Sequence, residues 1–265
     1  MIKKWLKICF WILIMGGVIT VFVFAKKEES KKTIESPAIS IHVDGETFLT
    51  EEELIIRLRN SSLLTLNQKN EQLDIRKIER KINLMEEVKN VDVFREIGNK
   101  WNIRVELRKP IARIFNTTNQ TYYIDEDGFL MSRSPNHTAR VIVFSGYLHD
   151  RFFNGSLSDF INNDSLKSIK KLDDVFRISN YVCKHPLMYK LIGQVYLEKD
   201  GDFVLIPLVG DQKIVFGTAN TDEEVAEKFS RLTTFYKEAI SFEGWNKYSE
   251  ISVKYDGQIV CRKRS

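Results

Sequence analysis

Four histidines, three cysteines and two closely spaced aspartates are the side chains whose types invite a catalytic or metal-binding reading of this chain. His42, His137, His149 and His185 are scattered, and none has a second histidine at helical spacing, so no HExxH face forms for a metal. The cysteines supply no CxxC. Cys9 falls in an apolar run, Cys183 in an apolar helical pattern and Cys261 in a strand pattern. Two thiols so far apart define no disulfide framework, and unpaired core thiols are expected. Asp125 and Asp127 resemble paired carboxylates for acid–base work. Gly128 follows at once, however, and carboxylates in such a turn bond their own backbone. Gly210-Asp211-Gln212-Lys213 reads as a hairpin turn, since a phosphate loop needs more glycines and a following helix. There is no Walker A loop, dinucleotide fingerprint or GxSxG elbow. A Ser/His/Asp site is assembled in space, and nothing in the chain singles one out. The expectation is therefore no catalytic, metal-binding or cofactor-binding residue, no cofactor and no small-molecule substrate.

The elements around these side chains read as a scaffold. Ile39–Val43 alternates as a strand stopped by Asp44-Gly45. Thr50 with Glu53 forms a capping box ahead of the apolar stripe Leu54, Ile55 and Leu58. Asp74 caps a second helix with Ile75, Ile78, Ile82 and Met85 on its buried face. Val91 and Phe94 belong to a strand, Gly98-Asn99 turns the chain, and Trp101–Leu107 alternates with period two. Pro110 then ends that strand or makes it an edge. Tyr122–Ile124 and Phe129–Met131 flank the Asp125–Gly128 turn as a hairpin. Beyond it the pattern is mainly β, with strands at Val141–Phe144, Ile192–Leu197, Phe203–Ile206 and Lys213–Phe216. Leu166, Ile169, Leu172, Phe176 and Val182 mark a helix running up to Pro186. A second capping box, Thr221 and Glu224, opens a helix with Val225, Phe229, Leu232 and Tyr236. The chain closes with strands Ile251–Tyr255 and Gln258–Cys261 around Asp256-Gly257. At least one ring each of Tyr122-Tyr123 and Phe152-Phe153 is expected in the core.

The N-terminus carries a different signal. Ile8–Ala25 is uncharged, apolar and about long enough to cross a bilayer, with Trp5 and Trp11 near one interface. Lysines flank both ends, so charge does not set the orientation. Only seven residues precede the run, and long domains translocate largely regardless of charge, which argues for a cytoplasmic N-terminus. The competing reading is a signal peptide cut after Val23-Phe24-Ala25. Residues 1–32 hold seven lysines against two glutamates, +5, and the chain total of +4 leaves −1 on residues 33–265. A nearly neutral remainder removes the electrostatic case for nucleic-acid binding. The basic flanks read as contacts to the lipid bilayer.

The order β-α-α-β-β over about seventy residues, read from pattern, is that of a POTRA module. The run Lys109-Pro110-Ile111-Ala112-Arg113, followed by Tyr123-Ile124-Asp125 and Gly128-Phe129-Leu130, resembles the bacterial cell-division family FtsQ, called DivIB in Gram-positive bacteria. Pro110, Ala112, Arg113, Asp125 and Gly128 carry the match, and the ending Ile251-Ser252-Val253-Lys254-Tyr255-Asp256-Gly257 is similar as well. The resemblance implies a POTRA domain joined to a β domain, without enzymatic activity. It also implies FtsB/DivIC-like and FtsL-like bitopic partners, and a role in assembling and regulating septal cell-wall synthesis at the plasma (inner) membrane.

The expected fold class is α+β: a single transmembrane helix, a POTRA-like domain and a mainly antiparallel β domain with helices. The expected boundaries are a tail at 1–7, the membrane helix at 8–25, a linker at 26–37, the POTRA-like domain at 38–108, the β domain at 109–262 and a basic tail at 263–265. The last hairpin is the candidate partner-binding edge, through Ile251, Val253, Tyr255, Ile259 and Cys261, because little chain remains after Cys261 to cover it. The alternative is that Arg262-Lys263-Arg264 simply guards the edge. Arg113 reads equally as a docking charge or as an ion-pair partner of the Asp125 turn. Two other function classes compete. A membrane-anchored extracytoplasmic enzyme requires a constellation of His, Ser or carboxylates. A transport-associated POTRA protein requires repeated modules or barrel spans.

Overall fold

A computed structural model describes residues 2–31, 33–45, 47–65, 68–96, 100–158 and 171–264. Helix α1 (Ile2–Lys31) contains the apolar run, and Phe10–Glu28 within it is long and apolar enough to span a membrane, with a mean hydropathy of 1.8 and none of it buried. The helix continues past Ala25 into residues expected to be a linker. Lys and Glu are good helix formers, so charge there does not break the helix.

The rest divides into two compact units, one containing the chain up to His42 with Leu49–Leu107, the other Val43–Phe48 with Arg108–Ser265. In the first unit the order after α1 is β1 (Ala38–His42), α2 (Glu51–Asn60), α3 (Ile75–Asn83), β2 (Val88–Arg95) and β3 (Trp101–Leu107). The Thr50 hydroxyl accepts from Glu53 N and the Asp74 carboxylate from Lys77 N, so both caps hold the orphan amides they were expected to hold. Leu54, Leu58, Ile78 and Ile82 are buried over a three-stranded sheet in which β3 is central, parallel to β1 and antiparallel to β2. Trp101 is buried and its indole N–H donates to Glu35 O at 2.9 Å. Met85 lies beyond the end of α3 and is half-buried, and Gly98-Asn99 lies outside the described residues.

The second unit is one mixed sheet, ten strands among the described residues. In chain order these are β4 (Pro110–Phe115), β5 (Thr121–Asp125), β6 (Phe129–Ser132), β7 (Ile142–Gly146), β8 (Gly155–Ser156), β9 (Ile192–Leu197), β10 (Phe203–Pro207), β11 (Lys213–Gly217), β12 (Tyr248–Ser252) and β13 (Val260–Lys263). They lie side by side as β13-β12-β11-β10-β9-β7-β4-β5-β6-β8. Most neighbours are antiparallel; β4 with β7, β7 with β9, and β11 with β12 are parallel. Helices α4 (Leu172–Lys184), α5 (Pro186–Leu191) and α6 (Asp222–Thr234) contribute Val175, Ile178, Met188, Val225 and Phe229 to the main core cluster, with Phe144, Val195 and Phe203 from the strands. Phe48, Tyr123, Met131 and Ala139 form a second, smaller cluster.

Two local readings change. Pro110 does not merely end a strand, because it opens β4 and pairs with Asp125, so a strand was hidden behind the break. A proline can begin a strand, where its missing N–H costs nothing. The helix expected to stop at Pro186 ends at Lys184, and Pro186 starts α5 with His185 as its cap, Nδ1 accepting from Met188 N at 3.4 Å. Leu166 and Ile169 lie outside the described residues. Cys183 and Cys261 are free, and both rings of Tyr122-Tyr123 are fully buried.

Candidate partner-binding edge

The last strand is built from a short run with one apolar residue in two. β12 supplies Ile251 to the core and pairs in parallel with β11, Ile214 opposite Ile251. The chain then leaves the sheet, and Val253 N donates to Val215 O at 2.9 Å. Gly257 turns the chain back with φ +67°, a left-handed conformation that suits glycine. β13 returns antiparallel to β12, with Cys261 opposite Ile251 and Val260 opposite Ser252. It is the outermost strand, and no described strand lies on its far side. The other end of the sheet is β8, two residues long, which is one way to blunt an edge. β13 is longer and bears an exposed Val260 (48%) among Arg262 and Lys263, both exposed.

The five residues expected to form a partner face separate by burial. Ile251 and Val253 are completely buried and belong to the main core cluster. This corrects the expectation that they display side chains to a partner. The inner side of β12 and the residue just after it face the main core cluster. Ile259 and Cys261 are half-buried against the same cluster, and Tyr255 alone of the five is half-exposed, at 51%. Burial pushes the Cys261 thiol up, which disfavours the nucleophilic thiolate. The edge therefore offers main-chain groups, Tyr255 and Val260. Ile259 and Cys261, expected on the partner face, pack inward, and Val260 between them is the exposed one.

The turn before β13 is tied from both sides. Arg231 of α6 donates to Tyr255 O, to Gln258 O at 3.0 Å and to Val253 O at 3.3 Å. Lys254 pairs with Asp202 at the tip of the β9–β10 hairpin. Arg264 N donates to Lys247 O at 2.9 Å, fixing the far end of β13.

The motif residues form a separate structural node. Asp125 is fully buried, and its Oδ1 accepts from Asp127 N at 2.9 Å and Phe129 N at 2.7 Å, the backbone bonding expected of a turn carboxylate. Its Oδ2 takes Arg108 at 2.9 Å, and the Arg108 guanidinium lies 3.8 Å from the Phe129 ring centroid. Burial raises the Asp125 carboxyl above its ordinary range, and the turn amides and Arg108 only partly offset it. Arg113 lies over the rings of Phe115 and Tyr123, and Arg108, not Arg113, pairs with the Asp125 turn. Ala112 is buried on β4 opposite Ile124, and Gly128 has φ +79° with room for a Cβ only at contact with Leu157.

A cavity of about 520 Å³ in the second unit is lined by Pro110, Ile111, Ile142, Val182 and Ile192, with Cys183, Arg140 and the Lys109–Asp44 ion pair (2.7 Å) among its polar members. The Cys183 thiol is raised by burial, which disfavours its nucleophilic thiolate. His149 bonds Thr117, and His185 caps α5 and stacks on Tyr181.

No curated protein matches the chain. A family model described as FtsQ/DivIB, C-terminal related, matches residues 109–262. That span covers more than half of the chain and takes in the whole sheet from β4 to β13 apart from the last residue of β13. The chain thus belongs to the FtsQ/DivIB family, through a C-terminal β domain of the related type.

Proposed function

We propose that this protein is a single-pass membrane component of the cell-division machinery that works by binding other division proteins and has no enzymatic activity. On this reading α1 is a retained anchor with a cytoplasmic N-terminus, and the rest of the chain lies outside the cytoplasm at the septum. The first unit serves as a POTRA-like docking module and the second as the platform for FtsB/DivIC-like and FtsL-like partners. Family membership supplies the cell-division role. The single observation that carries the binding reading is β13, an outermost strand with an exposed apolar residue and no described strand on its far side. Strand addition gives affinity through main-chain hydrogen bonds and specificity through alternate side chains.

The test is capture of the full-length chain from crosslinked cells, parent beside Val260→Pro. Proline removes a main-chain donor from the edge strand and fixes its φ. Recovery of an FtsB/DivIC-like protein with the parent and its loss with the variant supports the reading, and equal recovery ends it. For the absence of catalysis, replacing His42, His137 and His149 by Gln and His185 by Asn, which can keep the α5 cap, should leave division intact. Loss of division with normal folding and partner capture would overturn that part.

A further inference from the structure

We infer that Arg231 is the positioning residue of the binding edge: its guanidinium holds the Val253–Gln258 turn, and with it β13, in the register that a partner strand must meet. The inference rests on reading β13 as the partner edge. Lys254–Gln258 are five consecutive exposed residues, so side-chain packing does little to order them. Water can satisfy the main-chain carbonyls of such a turn, but only a donor fixed on the fold orders them. Arg231 supplies three such bonds from one side chain, to Val253, Tyr255 and Gln258, and reaches across from α6, the helix whose Val225, Phe229 and Leu232 are locked in the core. The turn thereby inherits the rigidity of the helix. Its side chain is only 16% exposed. It also forms part of the wall of a groove of about 370 Å³ between α6, the π-helical segment Phe235–Ile240 and Gly257–Ile259.

The chemistry is specific to arginine. A planar fork of five donors can meet several carbonyls at fixed angles, whereas a lysine ammonium is a compact point charge on a flexible stem. Loss of the fork leaves the turn free to sample other conformations, and a partner must then pay for ordering it on binding. The residue need not touch the partner to control affinity.

The experiment uses the full-length chain in nanodiscs with the extracytoplasmic part of the FtsB/DivIC-like protein of the same host as the probe. Arg231→Lys, Arg231→Met and Val260→Pro are compared with the parent for partner affinity and for amide exchange along the chain. The expected result is binding weakened about tenfold or more by both Arg231 variants, faster exchange confined to residues 254–263, and parent-like protection in α4 and β9. Should Arg231→Met lose protection throughout, Arg231→Lys decides. Weakened binding with protected α4 supports the inference, while parent-like affinity, or collapse of this variant as well, overturns it. Parent-like binding by both Arg231 variants with loss in Val260→Pro overturns the role of Arg231 and leaves the edge reading standing. Parent-like binding by all three overturns the edge reading and the inference together.

Discussion

The charged side chains buried in the second unit work in opposite directions with pH. Lys228 is 2% exposed and its ammonium donates to Glu224 at 2.5 Å and to Thr218 O at 2.8 Å, with the Phe216 ring beneath it. Glu224 also takes the Thr218 hydroxyl and Asn220 N. Burial works to raise Glu224, but these hydrogen bonds outweigh it and leave the carboxyl below its ordinary value of 4.5. Its folded-state pKa is depressed, so its contribution is present above that value and is lost as pH falls through the depressed one. Asp125 has the reverse sign. Its folded pKa lies above the ordinary 3.8, so the folded chain holds that proton more tightly and the contribution is lost as pH rises through the raised pKa. Denaturant titrations at several pH values check both. The stability of the parent relative to Glu224→Gln should grow as pH climbs from 3 to 5, and relative to Asp125→Asn it should shrink. At neutral pH, Glu224→Ala should cost about 3–5 kcal/mol, because it strands a buried ammonium. A cost under about 1 kcal/mol would mean that Lys228 finds another partner.

At the scale of elements, β12 and β13 carry different duties although they form one hairpin. β12 is sandwiched between β11 and β13, and its inward residues belong to the core. Val253→Asp, a natural choice for disrupting an interface here, should instead unfold the β domain, since it buries an unpaired carboxylate at a site with no exposure. Tyr255→Ala, at a half-exposed position in the turn, should change stability by no more than about 0.5 kcal/mol while weakening partner capture. Melting curves and captures of the two variants separate the roles. A folded Val253→Asp or a destabilised Tyr255→Ala would reverse the assignment. The basic residues of β13 also fit the manner in which natural edges resist pairing with the wrong chain. Arg262 reaches toward Glu250 at 3.8 Å and remains exposed, too weak a pair to close the edge.

At the scale of the molecule, α1 sets the location at which everything else acts. Its Phe10–Glu28 segment is wholly unburied, so none of the described residues covers that apolar surface. Transfer of such a helix into hydrocarbon is effectively irreversible in comparison with surface binding. The full chain should therefore stay in the membrane pellet after carbonate extraction, with residues 33–264 open to protease added outside the cytoplasm. Soluble protein beginning at Lys26 would show that the segment is a cleaved signal and would remove the anchor from the proposed function. Alkylation of the denatured chain without reductant should label both Cys183 and Cys261, the two being free. Protection of both would point to a bond that the fold does not contain.

Much of this architecture was legible in the amino-acid sequence because it rests on local physics. The Thr50, Asp74 and Thr221 caps, the period-two run of β3 and the turn at Asp125–Gly128 are all short-range choices, and each stands where its residues put it. Local signals also mislead where two of them abut. Pro110 and Pro186 both read as stops, yet each opens a new element, since a proline that cannot continue one structure is well suited to begin the next. Strand order was beyond such reasoning. Alternation shows that Ile251, Val253, Ile259 and Cys261 share a face, but not whether that face meets the core or a partner, because the same period serves both. Only the long-range placement of β12 between β11 and β13 decided that Ile251 and Val253 are core. The same placement left the outer side of β13 without a strand among the described residues and brought Arg231 to the turn 24 residues later. Burial and free edges are properties of packing between distant segments, and a sequence pattern carries only the side of a strand, not its neighbours.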